Sequence, residues 1–380
     1  MSTPQQDPPR PAVASAGPAG PTGLEIVEVT VPTSLDAPDA WPVHATVAVS
    51  QAVDLGVHGN VDTALDAEGV VAGLLESTHR RIRRFVATLD GEPVGRGFVL
   101  LPLTSNTHRA SVQVSVVPSA RRRGVGTALW GAVERVARDA GRTALSGDSP
   151  HSPEPSPGPG ALEPTTGVGR APADDAGVRF ALRHGFTLEQ VARHSVLDLP
   201  VDPGHLAGLV AVATAAAGPG YRVHVWADEI PEEHLDGLAV LETRMSTDAP
   251  SGGLDLREDP WDADRVRAWF AQVHDREAGY VVCAVEHVPT GALAGFTVVT
   301  FPEKRPAVVF QEDTLVLREH RGHRLGMLVK ATLLTELART RPAAERVHTW
   351  NAQENDAMLA INVALGFRPA GIDAEWQRVD

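Results

Sequence analysis

The sequence predicts an α/β protein of two tandem domains, each a central mixed β-sheet flanked by helices. Three observations predict it. A strand, a basic glycine-containing turn and a helix occur twice, as VSVVPSARRRGVGTALWGAVERVA and as QEDTLVLREHRGHRLGMLVKATLLTEL, with Arg121 standing 200 residues before Arg321. Each turn is followed by a Gly-Phe pair, Gly185-Phe186 or Gly366-Phe367. The chain's 380 residues are enough for two separate cores.

The elements follow in order. Residues 1–22, MSTPQQDPPRPAVASAGPAGPT, are rich in proline and small residues and have no basic stretch leading into an apolar one. They read as a disordered tail and not as a signal peptide. The first domain, residues 23–200, opens with a strand at Leu24–Val31, then helices at Thr46–Asn60 and Asp66–His79. Two strands, Arg84–Leu89 and Glu92–Leu101, join at Asp90-Gly91, a hairpin signal. Ala110–Val117 enters the first basic turn and Val125–Ala140 is the helix after it. From turn to Gly-Phe pair runs 59 residues in the first copy and 40 in the second. The excess falls in residues 147–175, which are rich in Pro, Gly and Ser, lack a hydrophobic period and read as a disordered insertion. Ser195–Leu199 closes the first domain.

Residues 201–220 link the copies, with a helix at Leu206–Ala217. The second domain, residues 221–380, begins with Tyr221–Ala227 and an acidic helix, Pro231–Thr243. A loop carrying Asp248 and a Gly-Gly turn leads to a helix at Asp262–Asp275 and strands at Tyr280–Glu286 and Leu293–Thr300. The run Thr314–Leu317 enters the second basic turn, and Leu325, Leu328, Val329, Leu333, Leu334 and Leu337 repeat at helical spacing. Arg346–Trp350 and Asn355–Leu365 supply a fifth strand and a helix.

A strand that turns sharply into a helix aims backbone N–H groups and the positive end of the helix dipole at one point, which suits a pyrophosphate. The spacing within the turns is more specific. It resembles the acetyl-CoA loop of the GNAT N-acetyltransferase superfamily, Arg/Gln-x-x-Gly-x-Gly/Ala. Arg121, Gly124 and Gly126 fit that pattern, whereas Arg324 stands where the second copy should have glycine between Arg321 and Gly326. The resemblance covers nearly the whole chain and implies two tandem GNAT domains. It implies cofactor contacts from Val114, Val116, Arg121, Arg122, Arg123, Gly124, Val125, Gly126 and Thr127 in the first copy. In the second it implies them from Thr314, Leu315, Val316, Arg321, Gly322, His323, Arg324, Leu325, Gly326, Asn351 and Asn355.

Acyl transfer from a thioester needs a polarised carbonyl, a neutral amine, alignment of the two and a proton for the leaving thiolate. By resemblance, a backbone N–H of the fourth strand meets the carbonyl, and a carboxylate near the start of that strand is the base. Glu312 and Asp313 hold that place; alternation sends them to opposite faces, with Asp313 favoured. The first copy offers no carboxylate in Arg109–Gln113. The family's acid is a tyrosine four residues before the Gly-Phe pair, a position taken here by Asn362, which holds no titrating proton, and by Ala181. Asn355 is either a cofactor contact or a helix cap, and Asp248 either binds an ammonium group or caps a turn. Catalysis is expected in the second copy, the first holding cofactor or serving structure. No metal is implied.

The balance of 34 basic against 48 acidic residues, a net charge of −14, argues against nucleic acid or anionic membrane as partner. It suits a cationic small-molecule amine or simply solubility. Cys283 is the one cysteine, so no intrachain disulfide forms. Arginine greatly outnumbers lysine, which occurs only at Lys304 and Lys330, a usage resembling a high-GC actinobacterial genome. The reading is therefore a cytoplasmic enzyme, monomer or homodimer, that uses acetyl-CoA to acetylate an amine such as a secondary metabolite or antibiotic. Two alternatives stand beside it: a mycothiol-synthase-like acetyltransferase, and a non-catalytic acyl-CoA-binding or sensing protein.

Overall fold

A computed structural model describes residues 22–380, so nearly all of the expected tail lies outside the described residues. The chain forms two compact units, one running to Leu103 and including Thr107–Leu145, the other comprising Thr104–Asn106 and Ser146–Asp380.

In the first unit, β1 (Leu24–Val29) leads to α1 (Trp41–His58), α2 (Ala67–Leu74), β2 (Arg80–Leu89), β3 (Glu92–Pro102), β4 (Arg109–Val116) and α3 (Val125–Asp139). The four strands pair antiparallel in chain order. Asp90 and Gly91 both take positive φ, 54° and 88°, as a tight turn matching strand twist requires. The apolar stripe of α3, with Val125, Leu129, Val133 and Val136 buried, lies directly on β3. A Cβ on Gly95 would stand 2.8 Å from Leu129, and one on Gly97 2.9 Å from Val133. Glycine is what lets that helix approach.

β5 (Ala144–His151) crosses from one unit to the next. There follow β6 (Ala161–Leu162), β7 (Ala171–Pro172), α4 (Ala176–Arg183), β8 (Thr187–Asp198), α5 (Pro203–Ala217), β9 (Tyr221–Ala227), α6 (Leu235–Asp248) and α7 (Ala263–Asp275). The chain ends with β10 (Ala278–His287), β11 (Ala292–Pro302), β12 (Val308–Val316), α8 (Leu325–Thr340), β13 (Arg346–Ala352), α9 (Asp356–Leu365) and β14 (Arg368–Val379). No helix among the described residues is long and apolar enough to cross a membrane.

The second unit's strands run in the order β5-β14-β8-β13-β12-β11-β10-β9. One pair, β12 with β13, is parallel. Two apolar layers cover the two faces. Val281, Cys283, Val299 and Val309 meet α8 and α5 on one face, while Val282, Phe296, Val298 and Leu315 meet α6 and α7 on the other.

Three sequence expectations are corrected. Residues 147–175 are not structureless. They complete β5 and form the β6–β7 pair, and Arg170 ties to Glu154 through an ion pair of 3.1 Å. Hydrogen bonds and ion pairs, not a hydrophobic period, order this segment. A break at residue 200 would part β8 from its neighbours, because β8 pairs antiparallel with both β13 and β14. The first copy's closing strand thus lies between the second copy's last two strands. The acidic helix also runs further than expected, so Asp248 is the last residue of α6 and not part of a loop.

Candidate active site

The basic turn of the second copy links β12 to α8. Gly322 and Arg324 take left-handed φ values of 87° and 56°, and Arg324 is the N-cap of α8. In the first copy the same two places hold Arg122 (63°) and Gly124 (82°). Each turn thus has two left-handed residues, one glycine and one arginine, in exchanged order. Alternating left- and right-handed residues curl successive N–H groups into an anion-binding concavity, here continuous with a helix N-terminus. The turn's first arginine is held in the same way in both copies. Arg321 Nε donates to the Val316 carbonyl at 3.1 Å, and Arg121 Nε to the Val116 carbonyl at 3.2 Å.

A gap opens beside this turn. β12 pairs with β13 only through Val308, Val309 and Phe310, whereas its pairing with β11 continues to Val316. Beyond Phe310, β12 therefore has an open edge towards β13. Leu317 N–H bonds Ala294 on the β11 side, so alternation turns the N–H groups of Thr314 and Val316 to the open edge. Two N–H donors thus face the gap.

A β-bulge fixes the carboxylates. Thr297 pairs with Thr314 but Val299 with Gln311, so Glu312 and Asp313 together oppose Val298. The extra residue cancels the alternation between them. Glu312 accepts from Thr300 Oγ1 at 2.6 Å, and Asp313 precedes Leu315 on the α6–α7 face. Both carboxylates lie on that face, against the expectation of opposite sides. Glu242, from α6, joins them.

Burial raises all three acids, and the charge of Glu312 adds to it at Asp313 and that of Asp313 at Glu242. Burial first, then the charge of Glu312, raises Asp313 to about 6. Burial raises Glu312, opposed by the Thr300 hydrogen bond and Arg276. Burial and Asp313 raise Glu242 well above the ordinary range, with Arg265 opposing. Yet Glu312 keeps solvent-accessible surface, and Asp313 and Glu242 are half-buried. Groups densely surrounded but still reached by solvent belong to the floor of a cleft. A carboxylate titrating near 6 is a stronger base at neutral pH than an ordinary aspartate.

The same face carries an aromatic wall. His194 of β8 stacks on Trp350 with centroids 4.5 Å apart and planes 5° apart, and its Nε2 lies 3.0 Å from His348 Nδ1. Phe310 lies beside Trp350 at 6.4 Å. On the opposite face Asn362 Nδ2 donates to Asn351 Oδ1 at 2.7 Å, while Asn362 Oδ1 is buried with no partner among the described residues. Asn355 is the cap of α9, accepting from Met358 N–H at 3.2 Å.

Asp248 is not an ammonium site. Its side chain is 6% exposed, forms an ion pair with Arg318 Nε at 3.1 Å and accepts from Arg321 Nη2 at 3.2 Å. Its charge is already matched, and it fixes two arginines beside the anion turn.

The first copy keeps the turn but not the chemistry. β4 pairs with β3 in unbroken register, with no bulge, and Val112 and Gln113 stand where the second copy has its acids. Val114 and Val116 lie at the end of β4, Arg121–Gly124 form the turn and Val125–Thr127 open α3.

Sequence reasoning missed Glu242, Phe310, Trp350, His194 and Lys330. Glu242 left a trace, since it lies four residues after Leu238 and seven after Leu235, on the apolar stripe of its helix. Lys330 left one too, as a charge inside the leucine repeat of α8. His194 left none, because its strand joins a sheet far along the chain.

The model of the acetyltransferase (GNAT) family matches residues 62–148 and 244–367. Among solved structures the chain is similar to a tandem GNAT protein from the clavulanic acid biosynthesis pathway, with 26% identity, a TM-score of 0.71 and coverage of 94% of this chain and 98% of that one. It is also similar to a GCN5-related N-acetyltransferase from Sphaerobacter thermophilus (15%, TM-score 0.58, 95% and 97% covered). A putative acetyltransferase from Pyrococcus horikoshii (14%, TM-score 0.53, 97% and 93% covered) shares the fold. No curated protein matches the chain.

Proposed function

The chain belongs to the GNAT acetyltransferase family, and on that premise we propose that it transfers an acetyl group from acetyl-CoA to a primary amine of a small molecule, with the chemistry in its second sequence copy. The observation that carries this reading is the bulge that sets Glu312 and Asp313 on one face, beside the open edge of β12 and the anion turn.

The turn from Arg321 to Gly326 would hold the pyrophosphate by backbone N–H groups and the α8 dipole. Thr314 and Val316 would donate to the acetyl carbonyl. The acids Glu242, Glu312 and Asp313 attract an ammonium group, and the Trp350–His194 wall gives it an aromatic surface. The ammonium gives one proton to water to become the neutral amine, and Asp313 takes a second as nitrogen attacks the carbonyl carbon. The first copy, lacking acids and bulge, would hold cofactor or serve structure. A small-molecule acceptor is in keeping with the tandem relative's place in the clavulanic acid pathway.

The test is acetyl-CoA turnover against a panel of amines, with Asp313→Asn and Glu312→Gln beside wild type. Turnover of one amine, lost in Asp313→Asn while acetyl-CoA still binds, is the expected result. Acetyl-CoA binding with no turnover of any amine would favour an acyl-CoA-binding protein instead.

A further inference from the structure

α8 carries an unexpected charge in its apolar stripe. Lys330 is 1% exposed. Among the described residues its ammonium has no hydrogen bond and no carboxylate partner, and the ring centroid of Phe367 lies 5.5 Å from Nζ. An unpaired buried ammonium is destabilising, so its retention calls for an account.

Its position supplies one. Lys330 lies four residues after Gly326, on the same face of α8. A Cβ on Gly326 would stand 3.0 Å from Ile361 of α9 and 3.8 Å from Val316 of β12. That face of α8 therefore packs against α9 and the open end of β12, and helical side chains lean towards the N-terminus, where the anion turn lies. Asn362 follows Ile361, and its carbonyl accepts from Phe367 N–H at 3.0 Å. Its Oδ1 is buried without a partner among the described residues. Lys330 and Asn362 thus both neighbour Phe367, where α8 and α9 meet, and Asn362 cannot release a proton.

We propose that Lys330 is the catalytic acid of the site, giving its proton to the sulfur that leaves the donor thioester. This rests on the acyl-transfer reading of the site. Nitrogen of the neutral amine bonds to the acyl carbon and the C–S bond breaks, its electron pair going to sulfur. The sulfur takes a proton from Lys330 Nζ and becomes a thiol, while the amine's proton goes to Asp313. Lys330 and Asp313 then return to their starting states by exchange with water, so the net products are an amide and a free thiol. The ammonium is suited to this task, since burial alone lowers it to about 7 and no charged group opposes the shift.

The chain has two lysines, Lys304 and Lys330, so lysine labelled with carbon-13 at Cε gives two signals, assigned with Lys304→Arg. The Lys330 signal should titrate at about 7, well below the ordinary lysine value of 10.5. CoA should displace its titration, and desulfo-CoA, which lacks only the sulfur, should not. An equal response to both ligands, or to neither, would overturn the proposal without any assay of transfer. In turnover, Lys330→Met should slow transfer from acetyl-CoA about 100-fold. It should match wild type with an acetyl aryl thioester, whose thiolate leaves without a proton. Equal loss with both donors would mean a structural role only. If wild type acetylates no amine, the acetyl-transfer reading fails, while the two NMR titrations still decide whether Lys330 meets the sulfur.

Discussion

Replacing Lys330 by methionine has a consequence for stability that can be worked out from burial alone. The folded chain holds this ammonium at about 7, against an ordinary value of 10.5. Because the folded value is the lower, the unfolded chain binds more protons between the two. Stability therefore rises with pH across that window and is lowest below 7. At about 1.4 kcal/mol per unit, the buried ammonium costs roughly 5 kcal/mol at pH 6 and about 2 kcal/mol at pH 9. Methionine keeps an unbranched, flexible side chain and removes the charge. Between pH 6 and pH 9, wild type should thus gain about 3 kcal/mol relative to Lys330→Met. Urea unfolding of both proteins at the two pH values measures the difference. A gap between them that does not change with pH would refute the reasoning, because it would place the ammonium in water.

Three further outcomes follow from the site and the sheet. Asp313, raised to about 6, should make kcat/KM climb as pH rises through that value, and Asp313→Asn should lower it by about 100-fold or more and abolish the climb. Arg324→Gly should stabilise the fold by about 1 kcal/mol, since arginine at φ 56° is strained where glycine is not; thermal unfolding measures this, and no change would mean the arginine makes compensating contacts. Residues 221–380 alone should fail to give a soluble folded protein by circular dichroism, because β13 and β14 would lose the strand between them. Extending that fragment back to Thr187 should restore it.

Much of the architecture was legible because its signals are local. The 200-residue offset between Arg121 and Arg321 persists in three dimensions, where Gly95 faces Val116 and Gly295 faces Val316. Each glycine admits a close neighbour, since a Cβ at Gly295 would stand 2.7 Å from the Leu315 carbonyl. The hairpin at Asp90-Gly91, the two anion turns and the helices after them all depend on residues adjacent in sequence. What was not legible depends on partners far along the chain. β8 reads as the end of the first copy, yet its pairing with β13 and β14 is decided across more than 150 residues, so no local period announces it. Residues 147–175 look like an unstructured insertion because polar contacts, which carry no period, order them.

The carboxylates show how one residue can reverse a correct local argument. Alternation along a regular strand puts Glu312 and Asp313 on opposite faces, and in that case only one could act in the cleft. The pairing with β11 contains one residue more on β12, and that count is visible only when both strands are laid side by side. With the bulge, two acids share a face and Glu242 approaches from α6, so each raises the proton affinity of the next. The first copy provides the contrast within the same chain, with a similar strand and turn, regular pairing and no acid in the equivalent positions. Deletion of Glu312 should remove the bulge, leave Asp313 opposite Val298 on the α6–α7 face, and lower its titration by taking away the neighbouring charge. The anion turn, built from the chain beyond Leu317, should bind CoA as before. Loss of CoA binding in that variant would mean that the bulge shapes the turn as well as the base, and the two parts of the site could not be treated as separable.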